Sequence, residues 1–190
     1  MYNVGVFGSA GDEGPEMVHL ARRIGLELAA RGCIIITGAC SGLPYEAARS
    51  GAAAGAEVWG FSPVSNMEEQ MEFAPNDDPR WYSTLHFVPP SFPFNADLPI
   101  CKKYRNVLST AHCEAGIIIA GKWGTLNEFT NLVDFGKVVG VLESSGGIAA
   151  ELRGLVERIG IEGEGSVVID DDPESLVARV IEALEERSRG

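Results

Sequence analysis

Hydrophobic and polar positions divide the chain into short apolar runs and longer amphipathic stretches that alternate from end to end. The apolar runs are rich in β-branched residues and predict seven strands, at residues 4–7, 33–37, 57–61, 85–88, 115–120, 138–142 and 166–169. The stretches between them have helical periodicity and predict helices at 16–31, 43–54, 67–73, 96–112, 125–135, 148–159 and 173–187.

Strands that alternate with amphipathic helices are typical of a mainly parallel sheet covered on both faces. The pattern therefore predicts an α/β protein, a Rossmann-like three-layer αβα sandwich, and one nucleotide-binding domain over residues 1–190. A polar, proline-punctuated stretch at 62–99 interrupts the alternation, and its length favours a lid or a substrate loop.

The composition of the chain argues against several classes of binding partner. The net charge is −12, which argues against non-specific nucleic-acid binding because that needs a basic surface, and we expect no nucleic-acid partner. No apolar run approaches the roughly 20 residues that span a bilayer, and the first residues lack a signal pattern, so we expect a cytoplasmic protein. The cysteines and histidines have no metal-ligand spacing, and we expect neither a metal nor a resident cofactor.

Three glycine-rich turns follow predicted strands, where parallel sheets bind ligands. Two of them provide the candidate phosphate or ribose contacts Gly8, Ser9, Gly38 and Gly42. The first turn has glycines spaced G-x-x-G-x-x-G, which is not the dinucleotide fingerprint. The second strand ends without the acidic residue that binds a ribose. Both facts disfavour an NAD oxidoreductase.

The third turn joins the strand at 115–120 to the helix at 125–135. Its residues Gly121, Lys122, Gly124 and Thr125 lie at a helix N-terminus, whose free N–H groups bind anions, and they are the remaining phosphate-binding candidates. Glu128, further along this helix, is a candidate catalytic carboxylate. The same Thr125–Glu128 spacing also fits a capping box, a purely structural role.

This third turn resembles the signature P-G-G-x-G-T-x-x-E of the LOG family. Gly121, Gly124, Thr125 and Glu128 match it, whereas Ala120 and Lys122 replace its proline and second glycine. The family's best-understood members are phosphoribohydrolases, which release the base from a nucleoside 5′-monophosphate. The resemblance therefore implies a small phosphorylated ligand and does not support the family's former label, "possible lysine decarboxylase".

Arg105 precedes Glu128 by 23 positions, the distance at which catalytic LOG-like enzymes have an Arg-Lys pair. The resemblance implies that Arg105 and Glu128 are catalytic partners. In this chain the pair is Arg105-Asn106, a combination that recurs in nucleotide-binding or molybdenum-cofactor-carrier-like relatives. Two functions thus stay open, hydrolysis of an N-glycosidic bond and non-catalytic binding of a nucleotide or phosphorylated cofactor.

Two further expectations concern surfaces. Trp123 is at the signature's variable position, where it stacks on a ligand or packs in the core, and core packing is the favoured interpretation. LOG-like proteins are dimers, so the resemblance implies a homodimer with the helix at 96–112 close to the partner subunit.

Overall fold

Seven parallel strands form a single sheet in this computed structural model, which describes residues 1–189. Their order across the sheet is β4-β3-β2-β1-β5-β6-β7, and every neighbouring pair is parallel. The strands are β1 (Asn3–Gly8), β2 (Ile34–Thr37), β3 (Val58–Phe61), β4 (Thr84–His86), β5 (Ala115–Ile119), β6 (Val138–Leu142) and β7 (Ser166–Asp170).

Helices cover both faces of this sheet. In chain order they are α1 (Pro15–Ala30), α2 (Leu43–Ala53), α3 (Met67–Phe73), α4 (Leu98–Ala111), α5 (Trp123–Asp134), α6 (Ala149–Ile159) and α7 (Pro173–Arg189). One buried cluster joins the sheet to α1, α2 and α7, and a second joins it to α5 and α6, with α4 alongside. The predicted Rossmann-like αβα sandwich is confirmed.

The central strands are apolar because neither face meets water. All residues of β2, β5 and β6 are buried, and they are rich in isoleucine and valine, which pack well on a pleated surface. The predicted strands and helices all form, with boundaries that differ by at most two residues. The predicted strand at 85–88 is β4, and the predicted helix at 125–135 begins two residues earlier, at Trp123.

The order in which strands are added to the sheet changes direction at β1. The chain adds β2, β3 and β4 outward on one side, then crosses back with α4 to place β5 on the other side of β1. The connections that leave β1 and β5 therefore run to opposite faces of the sheet. A crevice opens between them at the carboxyl ends of the strands, as is usual at a topological switch point.

The segment at 62–88 is anchored to the rest of the molecule and forms a wall. Gln70, which is buried, hydrogen-bonds through its side chain to Ser62 Oγ (2.6 Å) and to the Ala39 carbonyl (2.9 Å). Ser41 donates a hydrogen bond to Asp77 over 3.0 Å. Because these bonds join α3 and its flanks to the turn after β2, this half of the expected lid is a fixed part of the fold.

Described helices within residues 1–189 are each too short or too polar to cross a membrane.

Glycines allow α1 and α2 to pack in direct backbone contact. A Cβ atom on Gly25 of α1 would lie 2.0 Å from the Ala47 carbonyl oxygen of α2. A Cβ atom on Gly51 of α2 would lie 2.2 Å from Cδ1 of Ile35 in the sheet. The small residues of α2 thus serve packing, against a second helix as well as against the sheet.

Gly25→Ala is predicted to destabilise the protein, because the added methyl group collides with main-chain atoms that cannot move independently. Overpacking of this kind typically costs about 1–3 kcal/mol. Gly154→Ala in α6 is the matched control, since its Cβ would meet only the end of Arg158 at 3.8 Å. We expect that control to be stabilised by up to about 1 kcal/mol, through helix propensity. Urea unfolding of both variants measures the difference, and equal midpoints would contradict the packing argument.

Candidate functional site

The crevice at the switch point has a volume of ≈ 620 Å³ and is lined mainly by six parts of the chain. They are the turns after β1, β2 and β5, the first half of α4, the end of α3 and the start of α5. Its polar and charged lining residues are Ser9, Asp12, Glu13, Cys40, Lys102, Lys103, Arg105, Asn106, Lys122, Thr125 and Glu128.

The turn after β5 presents unpaired backbone N–H groups to this crevice. Helix α5 begins at Trp123, its N-cap is Lys122, and no side chain caps it. The first backbone N–H bonded back into the chain is that of Leu126, which donates to the Lys122 carbonyl over 2.9 Å. The N–H groups of Trp123, Gly124 and Thr125 are therefore free, and together with the helix dipole this arrangement is suited to binding an anion.

Two glycines of this turn have different roles. A Cβ atom on Gly124 would meet no atom within 4 Å, so this glycine leaves open space for a ligand to approach the backbone. Gly121 has φ +86°, and a Cβ there would lie 2.2 Å from Oγ1 of Thr125. Gly121 does not line the crevice and instead lets the turn close over Thr125.

Glu128 lies in the second turn of α5 with its side chain in the crevice wall. Only 7% of the residue is exposed, and its carboxylate makes no hydrogen bond to any residue of 1–189. Burial raises the pKa of Glu128 to about 7, although the charges of Arg105 and Lys103 oppose this shift. The capping-box interpretation is wrong, because α5 begins before Thr125 and Glu128 is beyond the capping positions.

Arg105 approaches the turn after β2 from helix α4. It is 7% exposed, and its buried Nε has no hydrogen-bond partner. A Cβ atom on Gly38 would lie 1.2 Å from Nη1 of Arg105, so a bare glycine is required for the guanidinium to occupy this place. The role of Gly38 in the crevice is therefore to admit a cation.

Arg105 and Glu128 are opposite charges that are buried in the same crevice and do not form an ion pair with each other. Burial of an unpaired charge is costly, and proteins rarely accept it without a partner. Such an arrangement is typical of sites where a ligand supplies the missing partners.

Asn106 connects the helices that carry these two residues. It is 3% exposed, and its Nδ2 donates to Asn127 Oδ1 over 3.0 Å and to the Gly124 carbonyl over 3.4 Å. The amide thus holds α4 against the first turn of α5. The resemblance implies that catalytic LOG-like enzymes have a lysine at this position. In this chain the side-chain amide of Asn106 takes its place and donates hydrogen bonds to protein atoms.

The turns after β1 and β2 pack against each other. Gly42 has φ +91°, and a Cβ there would lie 2.3 Å from the Ser9 carbonyl oxygen, which accepts a hydrogen bond from Leu43 N over 2.9 Å. Gly42 therefore does not line the crevice. Gly8 does, and a Cβ on it would lie 2.2 Å from the carbonyl oxygen of Ile119 in β5.

Eight of the ten candidate site residues thus line one crevice, and Gly42 and Gly121 support it from behind. Sequence analysis missed Lys102 and Lys103, which also line it. Helical spacing contained the signal, because Lys102 is three residues before Arg105 on the same helix. The preference for core packing of Trp123 is wrong, since 81% of that residue is exposed at the start of α5.

Two alanines adjoin the crevice in a conformation that usually needs glycine. Ala39 (φ +47°) and Ala120 (φ +51°) are the non-glycine residues with positive φ among residues 1–189. Ala39 lies two residues after the end of β2, and Ala120 directly follows β5. A proline cannot adopt the conformation of Ala120, because its ring holds φ near −65°. Such strain is concentrated at functional turns in many proteins.

Solved structures of several proteins have the same fold. TM1055 superposes with a TM-score of 0.74 at 19% identity, over 96% of this chain and 99% of its own. The molybdenum cofactor carrier protein of Chlamydomonas reinhardtii gives 0.71 at 16% identity, over 97% of this chain and 99% of its own.

DNA processing protein A of Helicobacter pylori, whose structure was described with a single-stranded DNA binding mode, gives 0.63 at 14% identity, over 95% of this chain and 80% of its own. At these identities the likeness shows a shared fold.

Comparison of the sequence with models of protein families identifies the family of this chain. No curated protein matches the chain. The model of the SLOG cluster4 family matches residues 1–177, nearly the whole chain, and this agrees with the LOG-like motif at the start of α5. The chain therefore belongs to the SLOG cluster4 family of LOG-like proteins.

Proposed function

We propose that this protein binds a small phosphorylated ligand, such as a nucleoside 5′-monophosphate, in the crevice between β1 and β5. The observation that supports this most directly is that Arg105 and Glu128 are both buried beside the uncapped start of α5 without forming an ion pair. The phosphate contacts the free N–H groups of Gly124 and Thr125, with Lys122 at the rim. The chain acts as one domain in this proposal, and nucleic acid is not its ligand.

The same arrangement suits hydrolysis of the N-glycosidic bond. Positive charge develops on the ribose as the bond from C1′ to the base nitrogen breaks, and an ionised Glu128 stabilises that charge. Water then forms the new bond to C1′, and its proton passes to the departing base. Arg105 orients the ribose phosphate or the base. The products are the free base and ribose 5-phosphate.

Non-catalytic binding is the second candidate, and two observations favour it. Lys122 occupies the position of a signature glycine, and Asn106 uses its amide to hold α5 where catalytic relatives are implied to have a lysine. The solved relatives of the same fold include a molybdenum cofactor carrier protein. In this alternative the crevice holds a nucleotide or a phosphorylated cofactor without cleaving it.

The phosphate is predicted to dominate affinity. Hydrogen bonds from charged or dipolar donors to an anion contribute roughly 1.5–3 kcal/mol each, so a 5′-monophosphate should bind at least about tenfold more tightly than its nucleoside. Calorimetry with a panel of nucleosides and their 5′-monophosphates measures this ratio. Chromatography of the same mixtures detects released base, which separates the two candidate functions, with Glu128→Gln as the control for any hydrolysis. Equal affinities for nucleoside and monophosphate would refute the proposal.

Glu128→Gln is also predicted to change the pH dependence of stability. The pKa of Glu128 is raised in the folded state, so the folded state holds its proton more tightly than the unfolded state does. Stability from this group is fully present below the unfolded pKa of about 4.5 and is lost as pH rises toward 7. The variant should therefore unfold at nearly the same denaturant concentration as the wild type at pH 4.5 and be more stable at pH 8, by at most about 3 kcal/mol.

Urea titrations at both pH values make the comparison. A constant difference between the two proteins across this range would show that Glu128 has an ordinary pKa and is not buried as a charge.

A homodimer is the assembly that we propose. Helix α4 has apolar side chains exposed on its outer face, at Ile100 and Val107, and Phe94 and Leu98 are exposed near its start. A helix that carries Arg105 on its buried side and apolar residues on its exposed side is suited to contact a second copy of the chain. Two-fold dimers are also the commonest soluble assembly.

Light scattering behind a sizing column is predicted to give a dimer mass, and Val107→Glu to shift it toward the monomer, because a charge on the α4 surface must be desolvated in the interface. Leu26→Glu is the matched control. Leu26 is a similarly exposed apolar residue on α1, which covers the opposite face of the sheet. A monomer mass for the wild type at micromolar concentration, or equal effects of the two substitutions, would contradict the α4 interface.

A further inference from the structure

Lysines are few in this chain, and most of them share one location. The sequence has four, Lys102, Lys103, Lys122 and Lys137, and the first three line the crevice. None of these three forms an ion pair within residues 1–189. Three unpaired lysines in one crevice of a protein with net charge −12 indicate a ligand that is strongly anionic.

The arginines confirm that this concentration of free cations is particular to the crevice. Eight of the eleven arginines are paired with carboxylates, and Arg158 and Arg187 donate to carbonyl oxygens. Within residues 1–189, Arg105 alone among them forms neither an ion pair nor a hydrogen bond to an oxygen atom, and it lines the crevice. Elsewhere in residues 1–189, then, the arginines are matched to acceptors.

These cations form two groups on different elements. Lys122 is the N-cap of α5, next to the free N–H groups. Lys102 and Lys103 lie on α4, and Lys102 Nζ is 5.4 Å from the ring centroid of Phe73, which belongs to the α3 wall of the crevice. Lys102 thus faces the α3 wall of the crevice, whereas Lys103 is close enough to Glu128 for its charge to lower the pKa of that carboxyl group.

One phosphate does not account for both groups. A phosphomonoester carries about −1.5 to −2 charges at neutral pH, which the start of α5, Lys122 and Arg105 are sufficient to balance. Asp12 and Glu13 line the crevice from the turn after β1, and neither forms an ion pair with a lysine. Lys102 and Lys103 therefore form no ion pair within residues 1–189 that would neutralise their charges.

We propose that the ligand carries a second anionic group, bound by Lys102 and Lys103, in addition to the phosphate at the start of α5. A nucleoside diphosphate represents this class of ligand. The inference rests on the proposed function of the crevice and goes beyond it, because a nucleoside monophosphate satisfies the proposed function and leaves the lysines of α4 unused.

Calorimetry with adenosine, AMP and ADP tests the inference on the wild type, on Lys102→Gln/Lys103→Gln and on Lys137→Gln. The control removes the one lysine that does not line the crevice. We expect ADP to bind about tenfold more tightly than AMP to the wild type and to the control, as one charge-assisted contact typically provides. In the double variant we expect ADP to fall to the affinity of AMP, and AMP itself to change less than threefold.

Because the base is unidentified, the guanosine series and the pair of phosphate and pyrophosphate are measured in parallel, and the criterion applies to the series that binds most tightly. Equal affinities of mono- and diphosphate in the wild type would overturn the inference, as would equal weakening of both in the double variant. In those cases a monophosphate that still binds more tightly than its nucleoside leaves the proposed function intact. Loss of that preference, or no binding in any series, overturns both.

Discussion

The parallel pairing of β1 with β5 is the interaction on which the rest of this molecule depends. It joins two halves of the chain that grow in opposite directions, and it places the turns after both strands at the same edge of the sheet. Close contact is possible because Gly8 has no side chain to meet the Ile119 carbonyl. Any larger residue would separate the strands where the crevice begins. The sheet and the candidate site therefore both require a glycine at position 8.

Around that pairing, the crevice is organised by groups that other parts of the fold hold in place. Arg105 occupies space that Gly38 leaves free, and Asn106 fixes α4 to the start of α5 through Gly124 and Asn127. Gln70 fixes the α3 wall to the turn after β2. The charged residues are thus preorganised before a ligand arrives, which reduces the entropy that binding must overcome.

Much of this could be predicted from the sequence, because the strongest signals are local. Periodicity and β-branched runs located the strands, and glycines after strands located the turns that converge on the crevice. What local patterns could not decide is which groups meet across the fold. Gly42 and Gly121 belong to the same glycine-rich turns as Gly38 and Gly124, but they face Ser9 and Thr125 and do not line the crevice. The contribution of Lys102 and Lys103 depends on the packing of α4, which no short motif records.

The raised pKa of Glu128 allows the crevice to exchange a proton with the solvent, and this exchange needs no movement of the chain. At neutral pH this carboxyl group is divided between its two protonation states. A phosphate that enters the crevice brings negative charge near it and favours the protonated state. Binding is then accompanied by partial uptake of a proton, which the dependence of the binding heat on buffer ionisation reveals. Under the proposed function, the crevice then responds to its ligand by a change in protonation.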